Sequence, residues 1–234
     1  MFKLRLLTVL FGLILGFNVG MSQEDLEKGK ALLEKGDPDY AIAAFKRVLA
    51  TSPRSSQANY YLGLAYIQKK VLDSAETYLR AAVKIDDELA PGYRTLGDVL
   101  MQQKKFSEAL PNYKVAVKLD PNFFEAVFGL GSAYVALDSL DQAILTLTKA
   151  REIRPDVPDV YVGIGDAYAK LNVLPAAIEQ YKKAVALVPT NSVLRYKLSR
   201  AYFKKKEYNE AIKELKEVVA IDSTNAEAWN DIGI

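Results

Sequence analysis

The chain has 234 residues, half of them hydrophobic and 26% charged, the balance of a folded protein and not of a disordered one. It contains neither Cys nor His, which removes disulfides, thiolate nucleophiles, imidazole bases, a lipidated cysteine anchor and the commonest metal ligands, so no catalytic, cofactor-binding or metal-binding residue is assigned. Lys plus Arg number 31 against 29 Asp plus Glu, and without Lys3 and Arg5 of the leader the signs balance, which argues against a nucleic-acid binder.

The first element is a leader over residues 1–22. Lys3 and Arg5 supply positive charge, Leu6 to Phe17 is apolar, and Gly20 and Ser22 place small residues before Gln23-Glu24-Asp25. That is the three-part layout of a secretory signal, with cleavage expected after Ser22. The apolar stretch is short against the ~20 residues that span a bilayer. Export to the periplasm or beyond is expected; the alternative is an inner-membrane anchor formed by residues 6–17.

From residue 22 onward the sequence repeats itself at one constant interval, the step from Gly29 to Gly63, with no insertion to break it. The glycine column reads Gly29, Gly63, Gly97, Gly131, Gly165, Ser199 and Gly233, and another reads Ala41, Ala75, Ala109, Ala143, Ala177 and Ala211. Further columns read Leu32, Tyr66, Leu100, Tyr134, Tyr168, Tyr202; then Phe45, Leu79, Tyr113, Leu147, Tyr181, Leu215; then Pro53, Asp87, Pro121, Pro155, Pro189, Ser223. Gly inside a helix costs ~1 kcal/mol relative to Ala, so its recurrence requires a close approach to the backbone. Two helices crossing at Gly and Ala meet that requirement, and the Pro column ends each unit because Pro cannot continue a helix. Pro38 and Pro175 fall near the starts of second helices, where the missing N–H is harmless, while Pro111 sits deeper and predicts a slight bend. Repeats are read at 22–55, 56–89, 90–123, 124–157, 158–191 and 192–225, with a partial seventh at 226–234.

Tyr93, Leu96-Gly97, Leu100, Ala109, Tyr113 and Pro121, and again Tyr161, Ile164-Gly165, Tyr168, Ala177, Tyr181 and Pro189, carry a resemblance to the tetratricopeptide repeat family. It covers residues 22 to 234. The resemblance implies an all-α fold, a right-handed superhelical solenoid of antiparallel helical hairpins, with the first helix of each hairpin lining a concave groove. It also implies protein binding and no enzymatic activity. In the first repeat Asp25 and Lys28 replace apolar residues, as suits a terminal repeat with one face in water.

Beside the core stripe of each first helix runs a second stripe. It reads Tyr60, Leu64, Ile67; Arg94, Asp98, Met101; Phe128, Ser132, Val135; Val162, Asp166, Ala169; and Tyr196, Arg200, Phe203. The candidate partner-binding residues are Tyr60, Tyr61, Arg94, Asp98, Met101, Phe128, Ser132, Asp166, Tyr196, Arg200 and Phe203, for a protein or peptide partner that is apolar or aromatic with a few charges. The alternative is packing between neighbouring first helices. Gly129 and Gly163 are expected to leave room in the groove floor. Two recognition modes of the family do not fit: Leu26 and Lys30 stand where the carboxylate clamp needs Lys and Asn, and the asparagine-ladder column reads Glu27, Tyr61, Thr95, Gly129, Gly163, Lys197.

Gly129-Leu130-Gly131 and Gly163-Ile164-Gly165 look like phosphate loops but fall inside helices with no strand before them, and Lys204-Lys205-Lys206 reads as a solvated turn. Asp86-Asp87 lies at a repeat boundary and reads as a turn. The combination points to a scaffold or adaptor of a bacterial-type cell envelope. The alternative is the adaptor portion of a larger enzyme or regulator continuing past Ile234. Trp229 and Ile232 should pack on the sixth hairpin, leaving an end open to self-association; a membrane partner is expected only if the leader is retained.

Overall fold

The computed structural model describes residues 22–233, so the leader, apart from Ser22, and Ile234 lie outside the described residues. Among the described residues there are helices and no strand. Helix α1 runs through 22–34 and is followed by α2 (Pro38–Thr51), α3 (Ser56–Gln68), α4 (Leu72–Ile85), α5 (Ala90–Gln102) and α6 (Phe106–Leu119). Then come α7 (Phe124–Ala136), α8 (Leu140–Ile153), α9 (Pro158–Lys170), α10 (Leu174–Leu187), α11 (Ser192–Lys204), α12 (Tyr208–Ile221) and α13 (Ala226–Ile232). The chain forms two compact units, the first ending at Leu119 and the second beginning at Asp120. Each holds three antiparallel hairpins among the described residues, and the second also carries α13.

The glycine column has a direct cause. A Cβ added at Gly63, Gly131, Gly165 or Gly97 would fall 2.5, 2.6, 2.7 or 2.8 Å from a side-chain carbon of Leu79, Leu147, Tyr181 or Tyr113. Real Cβ atoms do not approach that closely, so the second helix of each hairpin seats one large residue on the bare backbone of the first. These seated residues are buried, as are Ala75, Ala109, Ala143 and Ala177 one turn earlier on the same helices. In the sixth hairpin Ser199 takes the glycine's place, buried, with its hydroxyl donating to the Tyr196 carbonyl at 2.8 Å.

The turn inside each hairpin repeats as strictly. Gly36, Lys70, Lys104, Asp138, Asn172 and Lys206 all have positive φ, between 57° and 83°. In each turn the next residue's N–H reaches the carbonyl five positions back, as from Val71 to Tyr66 and from Val173 to Tyr168, both at 2.9 Å. The positive-φ residue itself donates three positions back, as from Lys70 to Ile67 at 2.8 Å. This pair of bonds is the Schellman closure of a helix C-terminus, which satisfies carbonyls the helix leaves open. Only Gly36 uses the residue type that favours this conformation; the other turns hold side chains there against a cost of ~1 kcal/mol.

Pro38 opens α2, Pro175 lies in the first turn of α10, and α6 runs on past Pro111. At repeat boundaries the Asp86, Asp120 and Asp222 carboxylates accept backbone N–H bonds two residues on, so Asp86 is a turn residue. In the first hairpin Asp25 accepts from Arg47 at 2.6 Å, which fills its place with an ion pair at the surface. Ile232 packs on the Leu215, Val218 and Ala228 cluster as expected. Trp229 does not follow it inward: its indole N–H donates to the Ser223 carbonyl at 3.0 Å and the ring stays exposed.

Candidate functional site

The second stripe of the first helices emerges at the surface, half-buried at Tyr60, Tyr61, Arg94, Asp98, Met101, Phe128, Ser132, Asp166 and Tyr196 and exposed at Arg200 and Phe203. Their roles differ. In the first unit Tyr61 stacks on Phe45 with ring centroids 5.6 Å apart and joins the core shared by α1, α2 and α3, while Tyr60 sits edge-on to it at 5.3 Å. Tyr61 is therefore packing as much as surface. Arg94 Nη1 donates to Asp98 Oδ2 at 2.7 Å, and the buried Tyr113 hydroxyl donates to Asp98 Oδ1, also at 2.7 Å.

The second unit repeats that arrangement. The Tyr181 hydroxyl donates to Asp166 at 2.6 Å, and Lys197 reaches both Asp166 oxygens at 2.9 and 3.0 Å. Asp occupies its column only in the two hairpins whose seated residue is Tyr; Leu64, Ser132 and Arg200 stand there where the seated residue is Leu. Asp98 and Asp166 thus serve first as acceptors for buried phenols, a role the stripe pattern alone does not show.

Burial, and then the Asp98 carboxylate, push the Tyr113 hydroxyl far above its ordinary value of 10.0, and burial followed by the bond to Asp166 does the same for Tyr181. Each raised value stabilises the fold fully below pH 10.0, and that stability is lost as pH rises further, because the unfolded chain ionises first. At roughly pH 11 each phenol removes about 1.4 kcal/mol. Urea midpoints measured through this range should fall more steeply for the native sequence than for a Tyr113→Phe/Tyr181→Phe variant. Equal slopes would show that these phenols are not held protonated.

Gly163 does not leave room in the floor. A Cβ there would lie 2.9 Å from Leu147 Cδ1, so the space is taken by the same leucine that seats on Gly131. Gly129 is buried in α7. Three clefts open further along the first helices of the second unit. One of about 430 Å³ is lined by Tyr196, Ser199, Arg200, Phe203, Lys204, Leu215 and Asp231. A second of about 350 Å³ runs past Ala169, Tyr181, Val193, Tyr196, Lys197 and Arg200 to Lys204. The third, about 280 Å³, continues to Val135, Asp166, Ala169 and Lys170 and again reaches Lys204.

Tyr196, Arg200, Phe203 and Asp166 are thus brought together around connected space. Half-buried Phe128 stacks on buried Phe124 at 5.9 Å, and Ser132 lies one turn on. Val135 and Ala169 line a cleft and also pack on the core. Sequence reasoning misses Lys204 and Lys170 as lining residues. A signal for them exists: they stand one repeat apart in a shared column, and Lys204 is one helical turn beyond Arg200.

Models of the tetratricopeptide repeat match residues 26–92 and 174–230, and a TPR repeat model matches 97–138 and 131–172. No curated protein sequence matches the chain. Among solved structures the chain is similar to PilF of Pseudomonas aeruginosa, with TM-score 0.74 and 18% identity over 91% of this chain and 97% of that one. It is similar to YrrB, a TPR protein with an unusual peptide-binding site, with TM-score 0.70 and 18% identity over 82% and 98%. MamA aligns with TM-score 0.66 and 26% identity over 71% and 97%. These likenesses show an all-α tetratricopeptide solenoid fold.

Proposed function

The chain belongs to the tetratricopeptide repeat family, and on that premise we propose that it is a protein-interaction scaffold of the cell envelope that holds a peptide or protein segment against its first helices. One observation carries the reading: in the second unit the stripe residues Asp166, Tyr196, Arg200 and Phe203 surround adjoining clefts, and of these Arg200 and Phe203 stay exposed. Large aromatic and Arg side chains at such a surface are the types that most often dominate binding energy. The reported peptide-binding site of the similar fold YrrB agrees with this use of the architecture. The envelope assignment rests on the leader pattern of residues 1–22.

Expression of the tagged full chain in a bacterial host, followed by fractionation, tests both parts. Periplasmic protein should begin at Gln23, and immobilised on a column it should retain a discrete partner from an envelope extract. Recovery of the uncut chain in the inner membrane alone would favour the anchor reading. Equal retention of that partner by a Phe128→Ala/Tyr196→Ala variant would move the binding surface away from the first helices.

A further inference from the structure

The clefts of the second unit are lined by charges, and most of these are already matched. Lys197 is held by Asp166, which also takes the Tyr181 hydroxyl. Asp231 accepts from the Tyr196 hydroxyl at 2.9 Å. Lys170 is bound to Asp138 at 3.0 Å and to the Val135 carbonyl at 3.2 Å.

Arg200 and Lys204 are different. Neither side chain forms an ion pair or hydrogen bond among the described residues; Arg200 lies over the Tyr196 ring, 6.0 Å from its centre. Equivalent positions in other repeats show what each lacks. Gln68 and Lys170, in the column of Lys204, each donate to a carbonyl of the preceding repeat, at Leu33 and Val135. Lys204 leaves the corresponding Ala169 carbonyl alone and lines all three clefts instead. In the column of Arg200 the one other cation is Lys30, and Lys30 is paired with Glu27 at 2.9 Å. The two cations stand at i and i+4 on α11, an arrangement that weakens a helix unless something negative lies between them. Beside them Phe203 is 61% exposed.

We propose that the cleft along α11 takes an acidic peptide segment, an Asp or Glu side chain lodging between Arg200 and Lys204 and a neighbouring apolar or aromatic side chain packing on Tyr196 and Phe203. The proposal rests on the groove reading above and names the chemistry of its occupant. A carboxylate there completes charge-assisted hydrogen bonds that the chain itself leaves unmade. The clefts share Lys204, and two of them also share Tyr196 and Arg200, so they form one path. A segment passing through fits that path, and the carboxylate is assigned to a side chain and not to a chain terminus.

A random-peptide display library panned on the purified chain supplies the probe. Enriched sequences should carry Asp or Glu within a residue or two of an aromatic or aliphatic side chain. A fluorescent, C-terminally amidated copy of the enriched peptide should bind, as read by anisotropy. Changing its acids to Asn and Gln should weaken it at least about tenfold, and so should Arg200→Gln/Lys204→Gln in the protein, a variant that should still melt cooperatively and no earlier than the native chain by more than a few degrees. Affinity should also fall with added salt. Enriched peptides without acids, binding that survives the amide exchange or the protein variant, or binding that requires a free C-terminus would overturn the assignment while leaving a peptide groove standing. Enrichment of no peptide at all would remove the groove reading with it.

Discussion

Leu147→Ala lowers the stability of the second unit by about 4 kcal/mol, at the upper end of the range for leucine truncation. Leu147 is fully buried, and it seats against two glycines at once, Gly131 of its own hairpin and Gly163 of the next. Truncation leaves a cavity walled on two sides by helix backbone, which has no side chains to swing into the gap, so little relaxation offsets the loss. Leu145, two residues away on the same helix, is 74% exposed, and its change to Ala should shift stability by no more than about 0.5 kcal/mol. Denaturant midpoints of the two variants therefore separate widely.

A second substitution checks the cause. In the native sequence Gly131→Ala gains about 1 kcal/mol of helix propensity yet drives a Cβ to within 2.6 Å of Leu147, so it should destabilise. In the Leu147→Ala background the same change meets open space and should stabilise. A cycle that closes additively would show that Leu147 and Gly131 do not share one packing site.

Much of this fold is legible in the sequence because its physics recurs. Each Gly, Ala, seated residue and Pro has a single local cause that returns in most hairpins, and the helices α3, α5, α7, α9, α11 and α13 each start one full repeat after the last. The positive-φ column is not legible, since Lys, Asp and Asn occupy it and only Gly36 signals the conformation. The site is legible in part. A stripe at i, i+4 and i+7 marks a helix face, but it does not say what a side chain on that face is bonded to. The stripe does not show that Asp98 and Asp166 also accept the Tyr113 and Tyr181 hydroxyls from the neighbouring helix. Gly163 looks like a gap until a leucine from the preceding repeat is found filling it. Both features arise from side chains on an adjacent helix, whose approach depends on hairpin geometry and not on the stripe.

If the partner binds along the first helices while the seated residues beneath hold the fold, a groove double variant separates the two. Phe128 and Tyr196 stand two repeats apart on the same face of their helices. Each has a structural role of its own, Phe128 stacked on Phe124 and Tyr196 bonded to Asp231, so the double change to Ala should cost stability, by about 1–2 kcal/mol. The removed area should cost more in binding, because aromatic anchors carry a disproportionate share of it. Leu130→Asp is the reference for collapse: Leu130 is buried in α7, and a carboxylate there has no partner to offset its lost hydration.

The most direct measurement is the dissociation constant of the captured partner for the native chain and for Phe128→Ala/Tyr196→Ala, taken beside a thermal melt of each protein and of Leu130→Asp. The expected result is a double variant that melts cooperatively and binds more than about tenfold more weakly, a loss of at least ~1.4 kcal/mol. A double variant that unfolds like Leu130→Asp, or one that stays folded and binds like the native chain, would contradict the account.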